Sequence, residues 1–296
     1  MASTERAHRP TLAKTLAREW LSPGVVRLAR RLLAYLRPPP WEYVPGGWQA
    51  AGTKARGWEA ESIVAVEAAK WARFVRLTQG NGPLGLAHEA LQPVTEDYAA
   101  HNTMMAFAYV LALAARQKDR ISILDWGGGL GHYYLLSRAF LPDLELDYHC
   151  KDLPLMCRRG RELLPDVRFH ETVESCAGRR YDLVLSSSSL HYSENWRDVA
   201  AQLAGMTGSY LYITRIPMVR HVPSFVVLQR PYGVGYRTEY LGWFLNRDEL
   251  LDALQVRGME LVREFLIEER PFVHRAPEQG EYQGFLWRPA PGRNGT

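Results

Sequence analysis

The stretch "ISILDWGGGLGHYY", residues 121–134, runs from an apolar segment directly into a cluster of glycines. Residues 121–126 form the apolar run of a buried strand, and Asp125 lies near its end. Four of the next five residues (127, 128, 129 and 131) are glycines, which lose more backbone entropy on folding than other residues. A turn of this composition is useful where another molecule approaches the backbone. We therefore predict a ligand site here, with an acidic residue beside it.

Apolar strands alternate with helices from this stretch onward, which is typical of a parallel sheet built from βαβ units. Five strands are predicted over residues 121–126, 144–150, 167–172, 181–189 and 209–217. After a long irregular stretch, a helix between Asn246 and Gly258 precedes two more strands, residues 259–267 and 282–288. We predict an α/β fold with a doubly wound, mostly parallel seven-stranded sheet, a C-terminal antiparallel hairpin and additional N-terminal helices.

The N-terminal 40 residues differ in charge from the rest of the chain. They carry eight basic and two acidic residues, a net charge of +6, whereas the whole chain of 296 residues carries +4. The remainder is therefore near neutral, which argues against a nucleic-acid-binding surface. Residues 20–37 predict a basic amphipathic helix. It would contact an anionic membrane or, as we favour, pack on its own domain or on a partner subunit.

These patterns divide the chain into four segments: a basic arm (1–40), a helical extension (41–118), the sheet domain (119–288) and a flexible tail (289–296). Within the extension, apolar spacing predicts helices over residues 57–79 and 96–117. Three cysteines without CxxC spacing argue against a disulfide framework and favour a cytoplasmic protein. No apolar run reaches the roughly 18 residues of a membrane span. No metal is expected, since no cluster of His, Asp and Glu has ligand spacing.

The glycine turn distinguishes between three classes of ligand. A P-loop needs G-K-[ST] at its end, but here Gly131 is followed by His132 and Tyr133. A dinucleotide site needs G-x-G-x-x-G, and counted from Gly127 the third glycine would fall on His132. Asp125 would also repel a pyrophosphate at the helix N-terminus. A cofactor with a cationic amino-acid tail and no phosphate fits, because Asp125 would attract its ammonium group, directly or through water.

The pattern D-x-G-x-G-x-G over residues 125–131 resembles the cofactor motif of S-adenosylmethionine (SAM)-dependent methyltransferases of the Rossmann-like class. The resemblance implies that SAM is the cofactor. It also implies that Gly127, Gly129 and Gly131 shape the methionine pocket and that Asp125 anchors the amino group.

A second acidic residue is expected about 20 residues after the glycines, at the end of the next strand, where it would bind the ribose hydroxyls. Asp152 lies 21 residues after Gly131 and has that position. Its alternative role is to cap the helix that follows. Asp147 is a rival acid, but it lies inside the strand.

The segment "YDLVLSSSSLHY", residues 181–192, resembles the corresponding part of O-methyltransferases, which often carry "DLP" at the ribose acid and a Leu-His pair after the fourth strand. The resemblance implies that His191 is the general base that takes the proton from an acceptor hydroxyl. Those enzymes continue with Asp-Trp, whereas this chain continues with "YSENW", so capping or orienting the loop is the alternative role. Glu171 is the candidate adenine contact, with exposure to solvent as its alternative.

Residues 41–287 together resemble a narrower family of methyltransferases without an established acceptor, often encoded near cell-surface polysaccharide genes. The resemblance is carried by "GGWQAAGTKARGWEAESI" (46–63), "YLYITRIPMV" (210–219), "SFVVLQRPYG" (224–233) and "NRDELLDALQVRGMELVREF" (246–265). It implies methyl transfer to an oxygen or nitrogen of a small acceptor, with a sugar or a cell-surface polysaccharide precursor as the candidate.

The block from Arg215 to Asn246 follows the fifth strand and is predicted to cover the acceptor pocket. Arg215, His221, Tyr240 and Trp243 are the candidate acceptor-binding residues, because such groups stack on rings and hydrogen-bond to hydroxyls. Packing of a small core within this block is the alternative. Two other functions stay open: a non-catalytic SAM-binding subunit of an envelope polysaccharide assembly, and an NAD-dependent oxidoreductase.

Overall fold

The computed structural model describes residues 38–50, 57–84 and 97–291. The basic arm predicted for residues 1–40, including the candidate membrane contact at residues 20–37, lies outside the described residues except for its last three. The predicted tail is described only to residue 291. Among the described residues, no helix is long and apolar enough to cross a membrane.

The described residues form ten strands and seven α-helices. The strands are β1 (Trp41–Tyr43), β2 (Arg120–Trp126), β3 (Glu145–Lys151), β4 (Arg168–His170), β5 (Tyr181–Ser187), β6 (Thr207–Val219), β7 (Phe225–Gln229), β8 (Tyr240–Asn246), β9 (Met259–Leu266) and β10 (Glu281–Pro289). The helices are α1 (Gly47–Ala50), α2 (Glu61–Gln79), α3 (Tyr98–Ala115), α4 (His132–Phe140), α5 (Pro154–Leu163), α6 (Trp196–Met206) and α7 (Arg247–Gln255). Two 3₁₀ turns lie at Leu190–Tyr192 and Pro231–Val234.

Five parallel strands form the centre of the sheet in the order β4-β3-β2-β5-β6. β10 pairs antiparallel with β6 on one side and with β9 on the other. Alternate residues of β2 enter different hydrophobic cores. Ile121 and Ile123 pack with residues of α2 to α5, whereas Leu124 and Trp126 pack with residues of α6 and α7. The sheet is therefore covered by helices on both faces, as a doubly wound fold requires.

The predicted total of seven strands is wrong, because three further strands, β1, β7 and β8, are present and make the sheet mixed. β7 pairs antiparallel with both β1 and β8. β6 is 13 residues long, and its last residues pair in parallel with the end of β8 through Met218–Leu245 and Val219–Asn246. The region that we predicted to be irregular therefore contains two strands. The prediction failed because the sequence of this region contains residues that usually mark turns, namely Pro223, Pro231 and Gly242.

The helices before the central sheet are part of the main hydrophobic core. The buried side chains of α2 form one stripe, Ile63, Glu67, Trp71 and Phe74. α3 begins after Asp97, whose side chain accepts a hydrogen bond from the backbone of the first helical turn. α2 and α3 share one core with α4 and α5. The domain boundary proposed between residues 118 and 119 stays a prediction.

Candidate functional site

Two glycines of the turn after β2, Gly127 and Gly128, have no room for a side chain. A Cβ atom on Gly127 would lie 2.3 Å from Cβ of Ser189, and Gly127 also has a positive φ of 71°. A Cβ atom on Gly128 would lie 2.3 Å from Oδ2 of Asp125 and 2.7 Å from Sγ of Cys150. These distances are far below van der Waals contact, so only glycine fits both positions. The turn consequently presents bare backbone to its surroundings.

This backbone lines a cavity of about 240 Å³ at the carboxyl ends of β2, β3 and β5. The strand ends contribute Trp126–Gly129, Lys151–Leu153 and Ser187–Ser189. Of the three glycines predicted to shape the methionine pocket, Gly127 and Gly129 line the cavity and Gly131 does not. The carboxyl edge of the parallel strands is where doubly wound sheets bind ligands, so this cavity is the candidate site.

Asp152 follows β3 directly and lies in the wall of the cavity. Its Oδ2 accepts a hydrogen bond from the backbone N–H of Gly129 at 2.7 Å, and its Oδ1 accepts one from Leu153 at 2.6 Å. Burial raises the pKa of Asp152 above its ordinary value, and these two N–H donors oppose that effect. Each carboxylate oxygen keeps a second lone pair. Asp152 can therefore also accept a hydrogen bond from a ligand hydroxyl.

The alternatives considered for Asp152 do not match the structure. The residue that precedes the first turn of α5 is Leu153, so Asp152 is not the N-cap of this helix. The rival Asp147 forms ion pairs with Arg168 and with Arg179, and it does not line the cavity. Asp152 is thus the acid at the position where the sequence predicted a ribose contact.

Asp125 lies beneath the glycine turn and not in the cavity wall. It is fully buried, and its Oδ2 accepts a hydrogen bond from the Tyr148 hydroxyl at 2.8 Å. Its Oδ1 has no hydrogen-bond partner among the described residues. Burial raises the pKa of Asp125 to about 7; the Tyr148 hydroxyl lowers it and the charge of Asp152 raises it further. The predicted direct contact with an amino group does not match this position, and a contact through water stays a prediction.

Two further predicted residues are not brought to the cavity. Glu171 is exposed and pairs with Arg161 at 2.7 Å. His191 is buried in the 3₁₀ turn after β5, where its ring centroid lies 4.0 Å from that of Tyr192. Tyr192 lines the cavity, and His191 does not. The adenine contact of Glu171 and the general-base role of His191 therefore stay predictions.

The four predicted acceptor-binding residues do not form one site. Arg215 is in an ion pair at 3.2 Å, and Trp243 stacks on Trp48 with ring centroids 5.9 Å apart. His221 is exposed in the turn after β6. Of the four, Tyr240 lines a cavity, a second one of about 360 Å³. The extended conformation of β8 explains part of this separation, because alternate side chains of a strand point to opposite faces.

Sequence reasoning did not single out the residues that approach the first cavity from the helices. Ile63 and Glu67 reach it from α2, His132 and Tyr133 from α4, and Trp58 from the segment before α2. Glu67 is only 4% exposed and interrupts the apolar stripe of α2. That interruption is the signal that could have identified it, because a buried carboxylate is costly unless it has partners.

An aromatic wall, which we define as Trp58, Tyr192, Tyr236 and Tyr240, lies between the two cavities. Trp58 stacks on Tyr240 with ring centroids 4.2 Å apart, and its ring lies 4.7 Å from Tyr192 and 6.3 Å from Tyr236. Tyr192 and Tyr236 line both cavities. Such faces suit stacking against a flat ring or the apolar face of a sugar.

Comparison with known proteins gives matches to solved structures only, since no family model and no curated protein matches the chain. Magnesium protoporphyrin IX methyltransferase from Synechocystis PCC 6803, solved with bound SAM, is 12% identical with a TM-score of 0.47, over 79% of this chain and 100% of that chain. 1,6-Didemethyltoxoflavin-N1-methyltransferase from Burkholderia thailandensis is 16% identical with a TM-score of 0.45, over 80% and 94%. An S-adenosylmethionine-dependent methyltransferase from Clostridium acetobutylicum is 10% identical with a TM-score of 0.42, over 64% and 90%. At these low values, function has to be inferred from the site itself.

Proposed function

We propose that this protein is a SAM-dependent methyltransferase that methylates an oxygen or nitrogen atom of a small acceptor. The observation that carries the proposal is the position of Asp152. Its carboxylate is fixed by the N–H groups of Gly129 and Leu153 in the wall of a cavity whose floor is bare glycine backbone. An acid held in this way at the end of the second parallel strand suits a ribose, whose hydroxyls donate to it.

The residues around Asp152 also fit the other parts of SAM. Leu153 and Met156 offer apolar surface for a purine ring. Gly127 and Gly128 admit no Cβ, and the backbone of residues 127–129 lines the cavity. Among the described residues, the cavity lining holds two carboxylates, Asp152 and Glu67, against one lysine, Lys151, and this negative balance favours a cationic ligand over a pyrophosphate. When bound, SAM supplies an activated methyl group, so the chain mainly has to align the acceptor and remove its proton.

The acceptor is proposed to lie against the aromatic wall, because Tyr192 and Tyr236 face both cavities. A sugar or cell-surface polysaccharide precursor remains our candidate, and a flat aromatic compound suits the same surface. Cytoplasmic localisation is part of the proposal. The free thiols Cys150, Cys157 and Cys176 are compatible with a reducing compartment.

Calorimetric titration of the purified chain with SAM, S-adenosylhomocysteine (SAH) and NAD tests the proposal. We expect micromolar binding of SAM and SAH, which Asp152→Ala loses. Asp166→Ala is the matched control, because Asp166 is exposed between α5 and β4 and should leave binding unchanged.

Binding of NAD instead, or of none of the three ligands, would overturn the proposal. Tight SAM binding without methyl transfer to any acceptor in a broad screen would favour the non-catalytic accessory subunit.

A further inference from the structure

Two neighbouring residues in the lining of the first cavity, Glu67 on α2 and His132 at the start of α4, have no catalytic role in the function proposed above. Both line the cavity, and both are nearly buried, at 4% and 8% exposure. Oε2 of Glu67 lies 4.0 Å from Nε2 of His132. At this distance the two groups interact through charge more than through a hydrogen bond.

The carboxylate of Glu67 is fixed by its own neighbours. Its Oε1 accepts a hydrogen bond from the Tyr236 hydroxyl and lies 3.5 Å from Nζ of Lys70. The position on α2 follows from helical spacing, because Glu67 is four residues from both Ile63 and Trp71 on the buried stripe. An apolar residue would be less costly at this position, so the carboxylate is expected to serve a purpose other than packing.

The ring of His132 is held on its other sides. Its edges and faces contact Trp71 and Phe74, with ring centroids 5.3 and 4.8 Å away. Its Nδ1 lies on the side of the glycine turn, 3.9 Å from where a Cβ of Gly129 would be. With Nε2 directed at Glu67, the neutral tautomer that carries its proton on Nε2 leaves Nδ1 as the acceptor atom towards the turn.

We propose that His132 is the general base of the methyl transfer and that Glu67 is its positioning residue, an inference that rests on the proposed function. As the bond between the acceptor atom and the methyl carbon forms, the carbon–sulfur bond breaks and its electron pair stays on sulfur. The proton of the acceptor hydroxyl or amine moves to Nδ1 of His132. The imidazolium that results is stabilised by the carboxylate of Glu67, and the proton is later released to water.

This assignment replaces the predicted base by one that the structure places in the cavity. His191 follows β5 but lies outside the cavity lining, whereas His132 adjoins the turn that holds the cofactor in our proposal. Other titratable or charged groups of the described chain line the same cavity or contact the pair. They are Lys70 from α2, Tyr133 from α4, Lys151 and Asp152 from the end of β3, and Tyr236 from the segment before β8.

The test needs no acceptor, because SAM and SAH differ at the sulfur atom by a methyl group and one positive charge. A base and a carboxylate that serve the transferred methyl group must lie near that charge. Replacing Glu67 with Gln removes a negative charge and is expected to weaken SAM binding roughly tenfold relative to SAH binding. Glu67→Asp, which keeps the charge, should restore the ratio to within about threefold. Glu61→Gln, on the exposed face of the same helix, is the control and should leave the ratio unchanged.

The pH dependence of the same ratio reports on His132. Protonation of the imidazole near the sulfonium should lower the affinity for SAM relative to SAH as pH falls from about 8 to about 5.5, and His132→Gln should flatten this dependence. Asp125 beneath the glycine turn also titrates in this range, and its contribution is present in both proteins. Equal loss of both ligands in Glu67→Gln would assign a structural role to Glu67 and overturn the proposal. An unchanged ratio in both variants, with binding still dependent on Asp152, would overturn the pair and leave the proposed function standing. Failure of the unaltered chain to bind either ligand would overturn both.

Discussion

Asp152 and Gly129 are joined by a hydrogen bond of 2.7 Å that links the end of β3 to the glycine turn after β2. The two residues are 23 positions apart in the chain, and each belongs to a different strand connection. The bond fixes the acid and the bare backbone relative to each other before any ligand arrives. Pre-organisation of this kind reduces the entropy that binding would otherwise cost.

Replacing Asp152 with Glu should show whether ligand binding depends on the charge at residue 152 or on the exact position of its carboxylate. The carboxylate stays, but an extra methylene prevents both oxygens from meeting the N–H groups of Gly129 and Leu153 at once. We expect the affinity for SAH to fall at least about tenfold, a loss of roughly 1.4 kcal/mol in binding free energy. Calorimetry measures it, with Asp166→Glu as control. Unchanged affinity would show that charge alone is sufficient.

Gly128→Ala should distort the turn, because the added Cβ would meet Oδ2 of Asp125 at 2.3 Å. We expect the free energy of unfolding to fall by about 1–3 kcal/mol and SAH binding to weaken. Gly205→Ala is the control: it lies in α6, and no atom lies within 4 Å of its added Cβ. That variant should gain about 0.5–1 kcal/mol in chemical denaturation. Equal changes in unfolding free energy in the two variants would contradict the close packing of Asp125 beneath Gly128.

Asp125→Asn should change how stability depends on pH. Burial raises the pKa of Asp125 from 3.8 to about 7, so the native state binds more protons than the unfolded state between these values. The protonated, neutral form of Asp125 therefore stabilises the folded state, fully below about pH 4, and this stabilisation is lost as pH rises through about 7. Asparagine stays neutral at every pH, so the variant avoids the cost of a buried charge and should exceed the wild type in unfolding free energy at pH 8 by on the order of 4 kcal/mol.

Urea denaturation at a series of pH values measures the effect of Asp125→Asn as a difference between the two proteins. Asp147, Asp182 and Glu278, whose pKa values are lowered by their hydrogen-bond and charged partners, have the opposite slope but are present in both proteins. A difference that does not vary with pH would mean that Asp125 titrates at its ordinary value.

Tyr236→Phe should destabilise the chain by about 1–3 kcal/mol, because the buried carboxylate of Glu67 loses the hydroxyl that donates to it. The comparison is Tyr232→Phe, which removes a similar hydrogen bond to Glu239 from an exposed tyrosine. We expect that change to stay below about 0.5 kcal/mol. Similar losses of unfolding free energy in the two variants would show that the hydrogen bond between Tyr236 and Glu67 stabilises the fold no more than an exposed one does.

The parts of the fold that the sequence predicts correctly are those with strong local signals. Residues 121–126 are a short apolar run followed by glycines, and Asp152 lies at the expected distance along the chain after those glycines. The strand, the turn and the acid can therefore be predicted from the sequence alone. β7 and β8 are different. Their apolar residues are flanked or interrupted by proline and glycine, and their strand partners are distant in the chain: β7 pairs with β1 and β8, and the end of β8 also pairs with the last residues of β6.

The candidate site is predictable from the sequence only at the strand ends, for a similar reason. The glycines and the acidic residues lie at the ends of strands, so their positions can be predicted from the order of strands and helices along the chain. Glu67 and Tyr236 are 169 residues apart and meet only because α2 and the segment before β8 pack together. The same limit applies to His191, which has the right position after β5 but does not line the cavity, since the direction of a side chain in a 3₁₀ turn does not follow from its place in the chain.

Among the tryptophans that the structure describes, Trp58 and Trp126 line the first cavity, one in the aromatic wall and the other at the end of β2. An indole changes its emission when a heteroaromatic base or a charged group comes close to it. Occupancy of this cavity is therefore expected to change the tryptophan fluorescence of the unlabelled chain, in which Nζ of Lys151 lies 4.8 Å from the centre of the Trp126 ring. Compound libraries can accordingly be screened by fluorescence before a single acceptor is known.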